Sequence, residues 1–512
     1  MELSTQMVGI RPKCLGNQTN QNIMYHAVIF TGIDLSESTY FRALGAYRIR
    51  TELEMNGYRV KVIDHFHSMS DENIQQAFDK YVSQDTLWVG FSTTFFNTSE
   101  LLQERKLFFT NLREQYKVPF VIGGAKAMVE FLDFADIFVT GYADDATVAL
   151  TKYLAGKDTN LKFKDYKGKK IIDSNHSYDR KDISNIPVLW KADDYISPHQ
   201  SLPMEIARGC IFNCSFCNFP LNNKNKFDYI RAKEDMYTEF MRNYEKFGTT
   251  NYWFMDDTYN DSMVKLELMH EVISSLPFKI NFDTYIKPEL LVRWPDQIDL
   301  LVESGLRGAS FGIESYNKQT RQAVQKGYTV DKVLDAIADM KQKSKGQVKT
   351  QINLIVGLPH ESESSIRESR ERVVSDSNID FWQWYPLLIH SKEHHEYHSP
   401  IDRNPEKYGY KVHKQKRLLK NTLASKTNAW MTVWKNEHMN AIRAGKLAEE
   451  LRQMDDSYQK VAGWVCGSVT SLGLDLEKHY QNHSGLRKKL PHKYLKNTKR
   501  KAIQDYLQKT LA

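Results

Sequence analysis

The chain has 512 residues, too many for one ordinary hydrophobic core and suited to about three domains. Hydrophobic residues make up 41% and charged residues 26%, the balance of a soluble globular protein, and no apolar run approaches the ~18 residues of a membrane span. Net charge is +7, but nine basic residues against the single acid Asp505 put +8 between Gly485 and Ala512, leaving −1 for the remainder. Such a tail reads first as a solvated helix face and second as a contact for nucleic acid or an acidic partner. The N-terminus lacks the basic-then-apolar order of a secretion signal, so a reducing, cytoplasmic setting is expected.

Residues 24–155 alternate short apolar runs with helical stretches. The predicted strands are His26–Thr31, Tyr58–Asp64, Thr86–Ser92, Val118–Ile122 and Ala135–Thr140, rich in Val, Ile, Phe and Trp. A helix between the first two ends at Asn56 and Gly57, where glycine can take the left-handed cap position. This order predicts a doubly wound, Rossmann-like parallel sheet over residues 1–155, with ligands at the carboxyl ends of its strands. Those ends carry small residues: Gly32, Ser36, Ser92, Thr93, Gly123, Gly124 and Gly141.

Residues 156–200 are polar, lack a clear period and read as a linker. A second strand-helix series follows over 201–390, with predicted strands Met204–Ala207, Asn251–Met255, Lys279–Tyr285, Ala309–Ile313, Thr350–Val356 and Asp380–Leu388, which implies a full or partial α/β barrel. Met236, Phe240, Tyr244 and Phe247 form a core stripe on one of its helices. Directly after the first barrel strand come Cys210, Cys214 and Cys217, three of the five cysteines in the chain. Three thiols on one loop point to a metal site; a disulfide framework needs more cysteines spread along the chain. They also fall one short of the four that usually hold an iron-sulfur cube, which leaves one iron open to another ligand.

The spacing Cys-x3-Cys-x2-Cys, with Phe216 before the third cysteine, resembles the signature of the radical S-adenosylmethionine superfamily. That resemblance implies a [4Fe-4S] cluster on Cys210, Cys214 and Cys217 whose open iron binds S-adenosylmethionine, and a reductant such as flavodoxin or ferredoxin. It also implies cosubstrate contacts by Phe216, by Asp256 and Asp257 after the second barrel strand, by Thr284 ending the third beside Asp283, by Glu314 and Ser315 in a Gly-Ile-Glu-Ser run, and by Gly357 in a Gly-Leu-Pro turn before His360. The blocks Asn56–Asp64, Val89–Thr94, Phe120–Ala125 and Ala135–Gly141 resemble the cobalamin domain of the cobalamin-dependent branch. That resemblance assigns Ser36, Ser92, Thr93, Gly123, Gly124 and Gly141 to cobalamin. Ser36 stands where other cobalamin proteins place a cobalt-binding histidine after Asp34, which implies cobalt without an imidazole ligand; Gly141–Asp145 replaces the usual Gly-Glu-Gly-Glu.

Residues 391–512 read as a mostly helical region with a basic tail, with Trp430, Trp434 and Met439 as core, Cys466 a buried thiol, and His394 and His398 on one helix face. The leading expectation is a cobalamin-dependent radical methyltransferase acting on an unactivated carbon. Two other readings stay open: a radical enzyme that performs cyclisation, ring contraction or oxidation, with or without cobalamin, and a zinc-stabilised nucleic-acid-binding protein.

Overall fold

The computed structural model describes residues 24–33, 40–93, 102, 104–124, 134–158, 160–166, 168–174, 186–217, 229–390, 398–419, 429–454, 471–473 and 492–512. Cys14, Asp34, Ser36, His394, Trp430's side chain and Cys466 lie outside what it describes. The first sheet contains β1 (Ala27–Phe30), β2 (Val60–Ile63), β3 (Trp88–Ser92), β4 (Phe120–Gly123), β5 (Ile137–Thr140), β6 (Lys164–Tyr166) and β7 (Lys169–Asp173), in the order β2-β1-β3-β4-β5-β7-β6. The five expected strands are present and parallel. Their near-continuous apolar runs follow from burial on both faces. Val28, Phe30, Val89, Phe91, Phe120 and Ile122 pack with Phe78 and Phe109 of the helices on one side. Ile29, Val62, Trp88, Val121 and Val139 face the other side, in a core that continues without a break into the second domain. Gly57 takes the left-handed conformation, φ +83°, after the helix Leu44–Met55.

The segment expected as a linker does more than connect. Residues 164–173 add β7, parallel to β5, and β6, antiparallel to β7. Residues 186–194 then form a strap along the helix Leu44–Met55. Arg50 makes two hydrogen bonds to Asp194 of 2.6 and 2.7 Å, Lys61 meets Asp193 at 2.7 Å, and the rings of Tyr47 and Trp190 lie 4.4 Å apart. Its charges are paired across that contact.

The second sheet runs β13-β12-β11-β10-β9-β8, all parallel, from β8 (Leu202–Met204) through β9 (Asn251–Phe254), β10 (Asn281–Ile286), β11 (Leu306–Glu314) and β12 (Lys349–Val356) to β13 (Phe381–Pro386). Sequential order with β8 and β13 as edges makes it an open, partial barrel. Of the helical stripe, Met236 and Phe240 are fully buried, while Tyr244 is half-exposed and stacks on Phe278.

Past the barrel, the helical reading holds for Pro400–Arg403, Ala441–Met454 and His492–Leu511, but residues between them form an antiparallel hairpin of β14 (Lys411–Leu419) and β15 (Ala429–Lys435). Trp430 and Trp434 are four apart, a spacing that fits one face of a helix and one face of a strand equally. Trp434 is fully buried and donates from Nε1 to the Leu387 carbonyl at 3.1 Å.

The basic tail is likewise more than a solvated face. Helix His492–Leu511 lays Ile503, Tyr506 and Leu507 against the first domain, and the backbone N–H of Asp64 donates to the Tyr506 hydroxyl at 2.9 Å. Arg42 covers the Tyr506 ring at 4.7 Å. Tyr506→Ala is therefore expected to destabilise the first domain by about 3–5 kcal/mol. Tyr506→Phe, which keeps the ring and removes the hydroxyl acceptor, should cost about 1 kcal/mol. Urea unfolding followed by far-UV circular dichroism checks both.

Candidate functional site

The cysteine loop is pinned before it reaches its first thiol. Asp256, at the end of β9, accepts the backbone N–H groups of Ile206 at 3.0 Å and Ala207 at 3.2 Å on one oxygen, while Lys265 holds the other at 2.6 Å. Arg208 and Arg231 are locked by backbone bonds to Tyr229 and Ile206, both 2.9 Å. Farther along, Ser215 donates its hydroxyl to the Ala323 carbonyl at 3.0 Å and accepts the N–H of Ile401 at 2.9 Å. Asp256 thus spends its carboxylate on the scaffold, which the sequence did not reveal.

Cys210 is buried with its sulfur 3.3 Å from the Thr258 hydroxyl, and burial pushes its thiol up. Cys214 and Cys217 are half-buried, joined by a backbone bond of 3.0 Å. Among the described residues, no three Cys, His, Asp or Glu side chains converge closely enough to hold one metal ion, as a structural zinc site requires. An iron-sulfur cube instead takes each thiolate on a separate iron. The three-thiol donor set on a fixed loop fits that group.

Arg208, two residues ahead of Cys210, bridges the domains. Its guanidinium is buried, binds both oxygens of Asp144 at 2.8 and 3.1 Å, meets Glu205 at 2.5 and 3.0 Å, and covers the Tyr142 ring at 4.7 Å. Asp144 begins the helix after β5 and also takes Arg48 at 3.0 Å. These residues line a cavity of about 300 Å³ between the domains. On one wall are Ser92, Gly123, Gly124 and Gly141; on the other, Ala207, Gly209 and Asp257. It opens beside the paired strands β1 and β3, between which the strand order reverses, the crossover point at which doubly wound sheets take ligands. A Cβ at Gly123 would stand 3.8 Å from the Val139 carbonyl, an ordinary contact, with no other described atom within 4 Å. Of the expected cobalamin residues that are described, Thr93 is the exception: its hydroxyl and N–H both go to the Gly123 carbonyl, at 3.0 and 2.7 Å. The small residues on its first wall let a ligand approach the backbone closely. Sequence reasoning missed Arg48, Asp144, Glu205 and Arg208; the arginine directly before Gly209-Cys210 was the available signal.

Asp257 is exposed into the cavity, and desolvation by the protein around it, with the charges of Asp256 and Glu205, pushes its carboxyl up to about 7. Thr284 lies within β10, which runs on to Ile286, and its hydroxyl donates to the Phe254 carbonyl at 3.2 Å. Glu314 ends β11 in a left-handed conformation, φ +66°, buried, with Lys326 at 3.6 Å; burial holds its carboxyl above the usual range. Phe216 is half-buried, its ring 6.0 Å from the Lys326 ammonium. Gly357, φ +99°, lies against the C-terminal hairpin: a Cβ there would stand 2.6 Å from Trp434, so the adjoining space holds an indole. His360 is a left-handed turn residue, φ +65°. His390 pairs with Asp402 at 3.5 Å.

Ser315 donates its hydroxyl to Glu361 at 2.5 Å, and the second oxygen of Glu361 is buried without a hydrogen-bond partner among the described residues. Burial raises this carboxyl from 4.5 to about 8, so it carries a proton at neutral pH. A carboxyl raised on folding contributes its full stability below pH 4.5 and loses it as pH climbs through about 8. Glu361→Gln, which copies the protonated shape, should flatten the decline between pH 4.5 and about 8, as urea midpoints measured across that range will show.

Residues 204–373 match the Radical SAM superfamily. Bacteriochlorophyllide d C-8(2)-methyltransferase of Chlorobaculum tepidum is 26% identical over 200 residues, 38% of this chain and 43% of that protein. Anaerobic magnesium-protoporphyrin IX monomethyl ester cyclase of Cereibacter sphaeroides is 23% identical over 292 residues, 52% of this chain and 45% of that protein. The chain therefore spans less than half the length of these two relatives. In fold it is similar to the radical S-adenosylmethionine methyltransferase TsrM of Kitasatospora setae, solved with cobalamin and a [4Fe-4S] cluster (TM-score 0.62, 15% identity, covering 94% of this chain and 100% of that one). It also resembles the cobalamin-dependent radical enzyme OxsB (TM-score 0.58, 13% identity, 94% and 80%). The cysteine loop at the mouth of the partial barrel thus lies inside the segment, residues 204–373, that matches the Radical SAM superfamily, and the fold of the chain as a whole is similar to those of TsrM and OxsB.

Proposed function

We propose that this protein is a cobalamin-dependent radical S-adenosylmethionine methyltransferase acting on an unactivated carbon. The observation that carries this reading is the shared cavity: the small-residue strand ends of the first sheet and the approach to the cysteine loop face the same space. Cys210, Cys214 and Cys217 would hold a [4Fe-4S] cluster, and Ser92, Gly123, Gly124 and Gly141 would line a bound cobalamin. Together with S-adenosylmethionine these groups supply a carbon-centred oxidant, the 5′-deoxyadenosyl radical, and a transferable methyl group.

The chain's own part is to bind, orient and exclude water. Glu314, on the strand end beside the loop, is suited to accept hydrogen bonds from hydroxyls or a cationic amine. Asp257 adds a carboxyl that changes charge near neutrality, so a cation placed beside it would draw it into the ionised form. Arg208 keeps the loop in register with the cavity. The apolar lining from Ile29, Trp88, Phe91, Val121 and Val139 keeps water out of a space where a radical must survive. The protein needs a low-potential electron donor, for which flavodoxin or ferredoxin is the expected class.

A second reading has its own support, since the cyclase relative aligns over 292 residues against 200 for the methyltransferase. In that reading the same radical chemistry proceeds without methyl transfer. Products decide between them: methyl transfer yields S-adenosylhomocysteine together with 5′-deoxyadenosine, and the alternative yields 5′-deoxyadenosine alone.

Anaerobic reconstitution with iron, sulfide and hydroxocobalamin is expected to give a chain with a cluster whose electron paramagnetic resonance spectrum changes on adding S-adenosylmethionine. A chain containing zinc alone would overturn the proposal. Replacing Cys210, Cys214 or Cys217 by alanine should abolish that spectrum and adenosyl cleavage. Gly123→Val, which places a side chain in the cavity, should weaken cobalamin binding about tenfold or more, near 1.4 kcal/mol, and leave iron content unchanged. Cobalt and iron analysis of the purified variants reads out both.

A further inference from the structure

Beside Cys214 lies a group of buried charges that does not balance. Glu289 accepts Arg321 at 2.9 Å and is approached by Lys287 at 3.7 Å and Lys326 at 4.0 Å, while Glu314 has Lys326 at 3.6 Å. Although burial pushes the Glu289 carboxyl up, Lys326, Lys287 and Arg321 together hold it below the usual range. Three cations thus face two carboxylates, which leaves one positive charge in a region where charges are stable only when partnered. The atom that answers it is a sulfur: the Lys287 ammonium donates to Cys214 Sγ at 3.8 Å.

Lys287 is held where it is. Its backbone N–H donates to Asn260 Oδ1 at 2.8 Å, and its carbonyl accepts from Asn260 Nδ2 at 3.1 Å. Asn260 is fully buried and is itself braced by Gln297 through bonds of 2.9 and 3.2 Å. The side chain runs over the Phe212 ring, its ammonium 4.8 Å from the centroid, and is only 11% exposed. Two elements of the loop, the Phe212 face and the Cys214 sulfur, therefore steer one ammonium. A surface lysine that happened to lie nearby would show neither the backbone clamp nor the burial.

On the reading of Cys214 as a cluster ligand, we infer that Lys287 is a positioning residue that sets the reduction potential of the cluster through a charge-assisted N–H···S bond to Cys214. Reduction takes one electron from an external low-potential one-electron donor and breaks no bond. It adds one negative charge to the cluster and its thiolates. A buried ammonium within hydrogen-bond reach stabilises that added charge more than the oxidised form, so it raises the potential. Hydrogen bonds to cluster sulfurs and net local charge are the means by which proteins tune such centres.

The test uses the full chain, anaerobically reconstituted with iron and sulfide and without S-adenosylmethionine. A potentiometric titration followed by electron paramagnetic resonance compares wild type, Lys287→Met, Lys287→Arg and Glu289→Gln. Lys287→Met should move the midpoint to more negative values by a tenfold change in the reduction equilibrium or more, about 59 mV for one electron. Lys287→Arg, which keeps charge and donors, should stay near wild type. Glu289→Gln, which removes an anion from the same group, should move the midpoint the other way. An unchanged midpoint in Lys287→Met overturns the inference, and so does an unchanged midpoint accompanied by weaker S-adenosylmethionine binding, which would make the lysine a cosubstrate contact. Should Lys287→Met fail to retain its cluster, Lys287→Gln carries the same test, and loss of the cluster from Lys287→Arg as well overturns the inference. A wild-type chain that takes up no cluster defeats the functional reading instead.

Discussion

The architecture turns on one buried carboxylate. Asp144 begins a helix of the first domain, accepts Arg48 from a neighbouring helix of that domain, and binds the guanidinium that immediately precedes the cysteine loop of the second. With Glu52 and Glu205 it forms a chain of alternating charges that water barely reaches. Such a network adds little stability over apolar packing of the same volume, because desolvation consumes most of the Coulomb attraction. Its effect is on geometry. Any slide of one domain on the other would strand a charge in the interior, at a cost of about 3–5 kcal/mol, so the arrangement favours one register of the cysteine loop against the first sheet.

The same logic explains how the strand ends of the barrel divide their labour. The adjacent Asp256 and Asp257 look equivalent in the sequence, but they separate in the structure. Asp256 turns inward to two backbone N–H groups and Lys265, fixing the loop's entry. Asp257 turns to the cavity, where the negative charge of its neighbour helps keep it protonated to about pH 7. A carboxylate used for scaffolding thereby tunes the one left available to a ligand. Glu361 and Ser315 form a comparable pair one turn away in function: the hydroxyl is spent on the carboxyl, and the carboxyl is too buried to ionise readily.

Much of this was legible in the sequence, and the reason is periodicity combined with composition. Parallel strands buried on both faces leave short apolar runs such as Ala27–Phe30 and Phe120–Gly123, which no alternation obscures. The cysteine loop announced itself because three thiols so close together have few other uses. The sheet margin was harder: the edge strand Lys164–Tyr166 and its neighbour Lys169–Asp173 carry lysines and aspartates, so they read as loop. The hairpin Lys411–Lys435 was lost because Trp430 and Trp434 satisfy both helical and strand spacing. Long-range ion pairs, such as Arg50 with Asp194 or Arg208 with Asp144, join residues 144 and 64 positions apart, and no local pattern encodes them.

Three separate tethers set the width of the cavity before any cofactor arrives. The strap at 186–194 ties the helix Leu44–Met55 to the segment entering the barrel, the Asp144–Arg208 pair ties the helix after β5 to the cysteine loop, and the C-terminal region touches both sheets. Its helix Ala441–Met454 and Trp434 pack at the β12–β13 side of the barrel, while Tyr506 of the last helix is lodged beside Asp64 in the first domain. A site preset in this way avoids ordering two domains at the moment of binding, a cost that would otherwise come out of cofactor affinity. It also bears on the chemistry. A reactive radical is useful only if its target is already in place, and a cavity whose walls are fixed by buried charge holds that distance more strictly than one closed by apolar contact alone.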